Sequence, residues 1–337
     1  MTKKRERLSD ESRLNWIKYE LRYYYRKFAE EKVFLPKPTY DLYAQYKVMG
    51  MVETNKFIYD IIKSGEAYAI GRIGGNEMNN IAYYSRNILF PYRTNACKDV
   101  FHDLNVQAGF FPESIELQKD YVDLMLNDIA DINVLGIWNR YMEEWVIDRY
   151  GKSIDTLTKL IYLEPMRLEE SDPNAIPWSA ALEGKRVLVV HPFKESIEKQ
   201  YYNNREHIFE GIHVRNILPK FDLYVVKAVQ SLSDERENYK DWFDALEYMK
   251  CEIDKLDYDV AIIGCGAYGL PLAAHVKRQG KIAIHMGGAT QLLFGIRGKR
   301  WDLGGTRDYY YMNSYWVRPM ESERIKNMSV VEGGCYW

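Results

Sequence analysis

Along this 337-residue chain, short runs of consecutive apolar residues alternate with longer stretches whose apolar side chains recur every three or four positions. The first spacing suits a strand buried on both faces, and the second a helix with one buried stripe. In residues 54–65, Phe57, Ile58, Ile61 and Ile62 share a helical face and Gly65 supplies a stop, and the run from Ala67 to Ile70 then reads as a strand. A helix is predicted from about Ser114 to Ile129, then a strand over Ile132–Trp138, a helix through Trp145 and a short strand over Leu160–Leu163.

The second half repeats the cycle. Lys185–Phe193 is a predicted strand ending at His191 and Pro192, and a polar helix follows. Phe221–Ser231 is the next strand, and the helix after it carries Trp242, Phe243, Leu246, Met249 and Ile253 on one face. Tyr258–Gly280 and Lys281–Gly298 each read as strand, glycine turn and helix. Apolar strands separated by helices predict an α/β protein with a Rossmann-like, mostly parallel sheet covered by helices on both faces.

The ends differ. Leu14–Phe28 is amphipathic, with Trp16, Ile17, Leu21, Tyr24, Tyr25 and Phe28 at helical spacing among basic residues, and a proline-rich linker follows over Leu35–Tyr40. The expected organisation is a helical arm and linker over residues 1–40, an α/β domain over 41–300, and an aromatic-rich tail packing on it over 301–337. Three partners remain open for the arm: the domain itself, a second subunit in a homo-oligomer, or the surface of an anionic membrane.

Composition narrows this little. With 47% hydrophobic and 28% charged residues the chain lies in the globular range, which argues against disorder or a fibrous repeat. A net charge of -2 says nothing of partners by itself; a nucleic-acid binder usually shows a basic excess over a whole face, and only the first forty residues lean that way, with eleven Lys and Arg against six Asp and Glu, so no nucleic-acid partner is expected. Cys97, Cys251, Cys265 and Cys335 are widely spaced, which argues against a zinc site or a disulfide framework. No signal-peptide pattern or membrane-spanning run is present, so a cytoplasmic location is expected, at the inner face of the membrane if the arm binds lipid.

The candidate chemistry gathers at predicted strand ends. Three glycine-rich turns stand there: Gly71–Glu77 with Arg72, Gly74, Gly75 and Asn76; Gly264–Gly269 with Gly266 and Tyr268; and Gly287–Gly288. Turns of this kind bring backbone N–H groups and helix N-termini close to an anion, so their shared edge favours a phosphate-bearing ligand over plain turn geometry. Gly264, Gly266 and Gly269 also fit the G-x-G-x-x-G pattern of NAD binding, but where that pattern requires a ribose-binding acid the chain has His285 and Met286. His191 and His285, both at strand ends, are candidates for a general base or a phosphate donor. Gln230 and Ser231 are similarly placed. Glu77, in the first turn of a predicted helix, either caps that helix or meets a sugar hydroxyl or a metal.

These motifs resemble those of the GT-D type glycosyltransferases, whose early strand ends in arginine, aromatic, glycine, aspartate, glycine, glutamate. Here Arg72, Gly74 and Glu77 match, and the aspartate that opens the family's D-x-E metal motif falls on Gly75. The later strand and turn, followed by "AIHMGG", resemble the family's nucleotide pocket, and the likeness spans most of Met51–Gly298. It implies transfer of a sugar from a nucleotide-sugar donor, a UDP-sugar first, to a glycan or other hydroxyl acceptor, as in bacterial polysaccharide or glycoconjugate synthesis. Arg72, Gly74, Gly75, Asn76, Gly264, Gly266, Tyr268, Gly269, Gly287 and Gly288 would bind the donor, with Glu77, His191 and His285 as catalytic candidates. A Mn or Mg ion would fall to Glu77 alone, a poor ligand set beyond what the diphosphate brings. The alternatives are an NAD-dependent oxidoreductase and a non-catalytic nucleotide-binding assembly subunit.

Overall fold

The computed structural model describes residues 13–31, 42–91, 97–231, 239–302, 311–324 and 334–337. Among these residues nine strands form one sheet: β1 (Leu42–Tyr43), β2 (Tyr46–Met49), β3 (Tyr68–Arg72), β4 (Val134–Ile137), β5 (Thr156–Lys159), β6 (Arg186–His191), β7 (Asp222–Lys227), β8 (Val260–Ile263) and β9 (Ile282–His285). Their order is β1-β2-β5-β4-β3-β9-β8-β6-β7, and every neighbouring pair except β1–β2 is parallel. Strands β4, β8 and β9 are buried along their whole length, as a sheet covered on both faces requires. The protein is therefore a Rossmann-like α/β protein.

The halves of the chain build the halves of the sheet. Strands β1 to β5 come from residues 42–159 and β6 to β9 from 186–285, and they meet where β3 pairs with β9, Ile70 beside Ile284. The helix after β3, α3 (Gly75–Leu89), buries Met78, Ile81 and Ala82 in one core cluster, whereas the short helix after β9, α10 (Thr290–Leu293), buries Leu292 and Leu293 in the other. Adjacent parallel strands whose chains leave toward opposite faces open a crevice at their C-terminal ends.

The outer elements depart from the sequence pattern in places. The run at Leu160–Leu163 is a 3-10 turn, and the strand lies just before it at Thr156–Lys159. Its threonines pair in register with β4, and Thr158 Oγ1 shares a 2.6 Å hydrogen bond with Thr54, so polarity did not preclude burial. Helix α1 (Arg13–Glu31) packs on α6 (Glu143–Tyr150) through Trp16, 4.7 Å from Trp145, and through Arg22 and Arg26, which reach the buried Glu144 at 2.5 and 2.7 Å. Pairing that carboxylate turns Trp16, Tyr19 and Arg26 inward and leaves Ile17, Leu21, Tyr24, Tyr25 and Phe28 exposed. The linker at 35–40 and the tail residues 303–310 and 325–333 lie outside the described residues. No helix among the described residues is long and apolar enough to cross a membrane.

Candidate active site

A cleft of about 540 Å³ occupies the crevice, lined from the C-terminal ends of β3, β4, β6, β7, β8 and β9. Arg72, the last residue of β3, points into it and lies across Gly287, where an added Cβ would stand 3.0 Å from Arg72 Nη1. Gly287 has φ +65°, a conformation a side chain would disfavour, so the glycine both makes the turn and clears the space for the guanidinium.

Trp138 and Arg140 follow β4. The Trp138 indole N–H donates to the Ile73 carbonyl at 3.1 Å, and both guanidiniums lie against the indole, Arg140 at 3.6 Å and Arg72 at 5.1 Å from its ring centroid. Neither guanidinium forms a hydrogen bond or ion pair with any other described residue. Burial lowers the pKa of Arg72, and Arg300 nearby adds to this, while Glu77, Tyr336 and Glu164 oppose it. The loop that carries Trp138 is held from below by the fully buried Glu143, whose carboxylate accepts from the backbone N–H groups of Trp138 at 3.3 Å and Arg140 at 3.2 Å and from Tyr43 OH at 3.3 Å. That support matters because Asn139 and Met142 have φ of 57° and 61°.

Glu77 sits at the start of α3 with its carboxylate folded back over Gly74, the N-cap, where an added Cβ would lie 2.0 Å from Oε2. It is buried; desolvation raises its pKa, and its own backbone N–H and the charge on Arg72 moderate the rise. Asn76 Nδ2 is turned to Gln107 at 3.1 Å.

The two histidines hold opposite tautomers. His191 Nδ1 accepts the Phe193 N–H at 3.0 Å, so its proton is on Nε2. His285 Nδ1 faces the Ile263 carbonyl at 3.1 Å and must donate to it, which leaves Nε2 as an acceptor. Burial pushes both pKa values down to about 3, with the positive charge of Arg72 adding to the effect at His285.

The β8 turn supplies Gly264, Cys265, Gly266 and Tyr268. Tyr268 stacks on Trp242 with centroids 4.8 Å apart, and its hydroxyl shares a 2.9 Å hydrogen bond with Ser231 Oγ, which donates to the Gly109 carbonyl. The remaining wall comes from the C-terminal region. Tyr336 lies against Gly288, where an added Cβ would be 2.4 Å from Cε1, and its hydroxyl accepts from Arg300 at 3.3 Å; Trp337 packs on Phe193.

Of the residues singled out in the sequence, Arg72, Gly74, Gly75, Asn76, Glu77, His191, Gly264, Gly266, Tyr268, His285, Gly287 and Gly288 all line this cleft. Gly269 does not line it and lies under His285, whose Cε1 would be 2.0 Å from an added Cβ. Sequence reasoning missed Trp138, Arg140, Arg300 and Glu164. A tryptophan and an arginine just beyond the β4 run were the available signal. Among the described residues no group of three or more His, Cys, Asp or Glu side chains converges as a metal site.

No family model matches the sequence, and no curated protein matches it. Among solved structures the chain is similar to a selenomethionine-substituted structure of a domain of unknown function, DUF1792, with 11% sequence identity and a TM-score of 0.40 over 73% of this chain and 79% of that one.

Proposed function

We propose that the protein is a glycosyltransferase that takes its sugar from a nucleotide-sugar donor, a UDP-sugar first among the candidates, and passes it to a hydroxyl acceptor. The observation that carries this reading is the pair of guanidiniums on Trp138, unpaired with any described carboxylate, in a cleft that also holds one buried carboxylate and an aromatic wall. A nucleotide sugar combines an anionic diphosphate with planar and polyhydroxylated parts, and these are the groups such a lining accommodates.

In the proposed step the acceptor oxygen bonds to the anomeric carbon as that carbon's bond to the phosphate oxygen breaks. The acceptor proton passes to Glu77, whose burial makes it a stronger base than an ordinary carboxylate. The departing nucleoside diphosphate carries the electron pair, and Arg72 and Arg140 offset its charge. Neutral His191, with Nε2–H, is a hydrogen-bond donor to donor oxygens, whereas His285 Nε2 accepts from a hydroxyl.

The test is a transfer assay on UDP-, GDP- and TDP-sugars with a mixed panel of acceptors, run with the wild type and Glu77→Gln. Transfer by the wild type and its loss in a folded Glu77→Gln variant are expected. Stabilisation by NAD(H) but by no nucleoside diphosphate would remove the reading, and tight nucleotide binding with no turnover would assign a non-catalytic binding subunit instead.

A further inference from the structure

In the family that the sequence resembles, a D-x-E pair implies a divalent cation on the donor diphosphate. The residues of this cleft do not fit one. Glu77 is folded over its own helix N-terminus, with Oε2 where a Gly74 side chain would otherwise begin. Gly75, at the position of the missing aspartate, has a cation beside it: a Cβ there would lie 3.5 Å from Cζ and from Nη2 of Arg140 and 3.5 Å from the Trp138 ring. A divalent ion placed beside Glu77 would meet two guanidiniums, and the cleft's other carboxylate, Glu164, is already paired with Arg167 at 2.7 Å, which leaves repulsion without a ligand set.

Resting on the nucleotide-sugar reading above, we infer that this cleft grips the diphosphate of its ligand without a divalent cation, Arg72 and Arg140 together supplying the two positive charges that a metal would bring. Three features support the assignment. Each guanidinium is a planar fork that matches two phosphate oxygens, and it stays ionised across the physiological range. Both lie against one indole, which limits the side-chain freedom lost when an anion binds. They come from different strands, Arg72 from β3 and Arg140 from the loop after β4, so they can hold neighbouring phosphates rather than compete for one.

Titration calorimetry with inorganic pyrophosphate and with UDP, each in EDTA and in excess Mg or Mn, tests the inference. Affinities in the two media are expected to agree within about twofold. Arg140→Ala and Arg72→Ala are each expected to weaken pyrophosphate about 10- to 100-fold, and Arg140→Lys to recover part of the loss through charge without the fork. Gly75→Asp is the sharper variant. An acidic residue in the first turn of a helix does not threaten folding. By pairing with Arg140 it is expected to weaken pyrophosphate about tenfold in EDTA and not to create a metal requirement.

Binding that appears only with a divalent ion would overturn the inference while leaving the nucleotide-sugar reading in place, as would unchanged affinity in both alanine variants. Cation-independent binding of pyrophosphate with no response to UDP or any nucleotide sugar would do the reverse, supporting the arginine pair and removing the donor class.

Discussion

Gly287 is the bed on which Arg72 lies: the guanidinium Nη1 is 3.0 Å from the point where a Gly287 side chain would begin, and the Gly287 backbone has φ +65°. Gly287→Ala therefore acts twice. The left-handed backbone costs about 1–2 kcal/mol of stability, and the methyl pushes Arg72 off the anion position. The expected result is a folded protein with a lower melting temperature and about tenfold weaker pyrophosphate binding. Unchanged binding would mean that Arg72 does not face the ligand.

How much of this was legible in the sequence is clearest at the glycines. Their clustering marked the edge of the sheet at which the cleft lies, because strand ends and tight turns leave a local signature. Their use was not legible. Backbone opened to a ligand was the expectation, yet at most of these positions the protein's own side chains fill the space: Glu77 at Gly74, Arg140 and Trp138 at Gly75, Thr290 at Gly264, His285 at Gly269, Arg72 at Gly287 and Tyr336 at Gly288. Which side chain a glycine admits depends on contacts far apart in the chain. The same reason hid Arg140, whose role comes from β4 lying beside β3, and it hid the outward stripe of α1, because periodicity finds an apolar face without saying which way it turns.

Glu143 supports the Trp138–Arg140 loop at an electrostatic cost. Burial raises its pKa from 4.5 to about 7, with the backbone N–H groups of Arg140 and Trp138 only partly compensating. Between those two values the folded state binds the proton more tightly than the unfolded chain, so this group's contribution to stability falls as pH rises from about 4.5 to about 7. Comparing Glu143→Gln with the wild type by denaturant titration across that range should show the wild type losing on the order of 1–3 kcal/mol relative to the variant. Parallel pH profiles would contradict the buried state of the carboxylate.

The histidines should be silent near neutrality. With both pKa values pushed down to about 3, His191 and His285 stay neutral at every pH where the protein would be assayed. Their imidazole Cε1–H resonances are expected not to move between pH 8 and pH 5. Any acid limb in transfer activity then belongs to the buried carboxylates, Glu77 at the acceptor or Glu143 beneath the Trp138–Arg140 loop, and lies above the usual carboxylate range, because burial raises both pKa values. Its removal by Glu77→Gln cannot be scored, since that variant is inactive on this mechanism. The check is instead His191→Gln, which keeps a donor near Nε2 and should leave the position of the acid limb unchanged; a shifted limb would make His191 the titrating group.

The C-terminal residues close the cleft by a contact that can be measured as a coupling. The Trp337 carbonyl accepts from the Lys299 N–H at 3.0 Å and from Arg318 Nη1 at 3.0 Å, and its ring packs on Phe193 with centroids 5.6 Å apart. Gly298 makes that seating possible, because an added Cβ there would stand 2.6 Å from the Cys335 carbonyl oxygen and 2.6 Å from the Tyr336 carbonyl carbon. Backbone on both sides leaves no flexible group to yield, so Gly298→Ala must displace the segment. Trp337→Ala removes a buried indole and is expected to cost about 3–5 kcal/mol. If both substitutions act by unseating the same four residues, Gly334–Trp337, the double variant should cost less than the sum of the two single ones by at least about 1 kcal/mol. Strict additivity in denaturant titration would show that Gly298 acts elsewhere, and that the wall formed by Tyr336 and Trp337 does not depend on it.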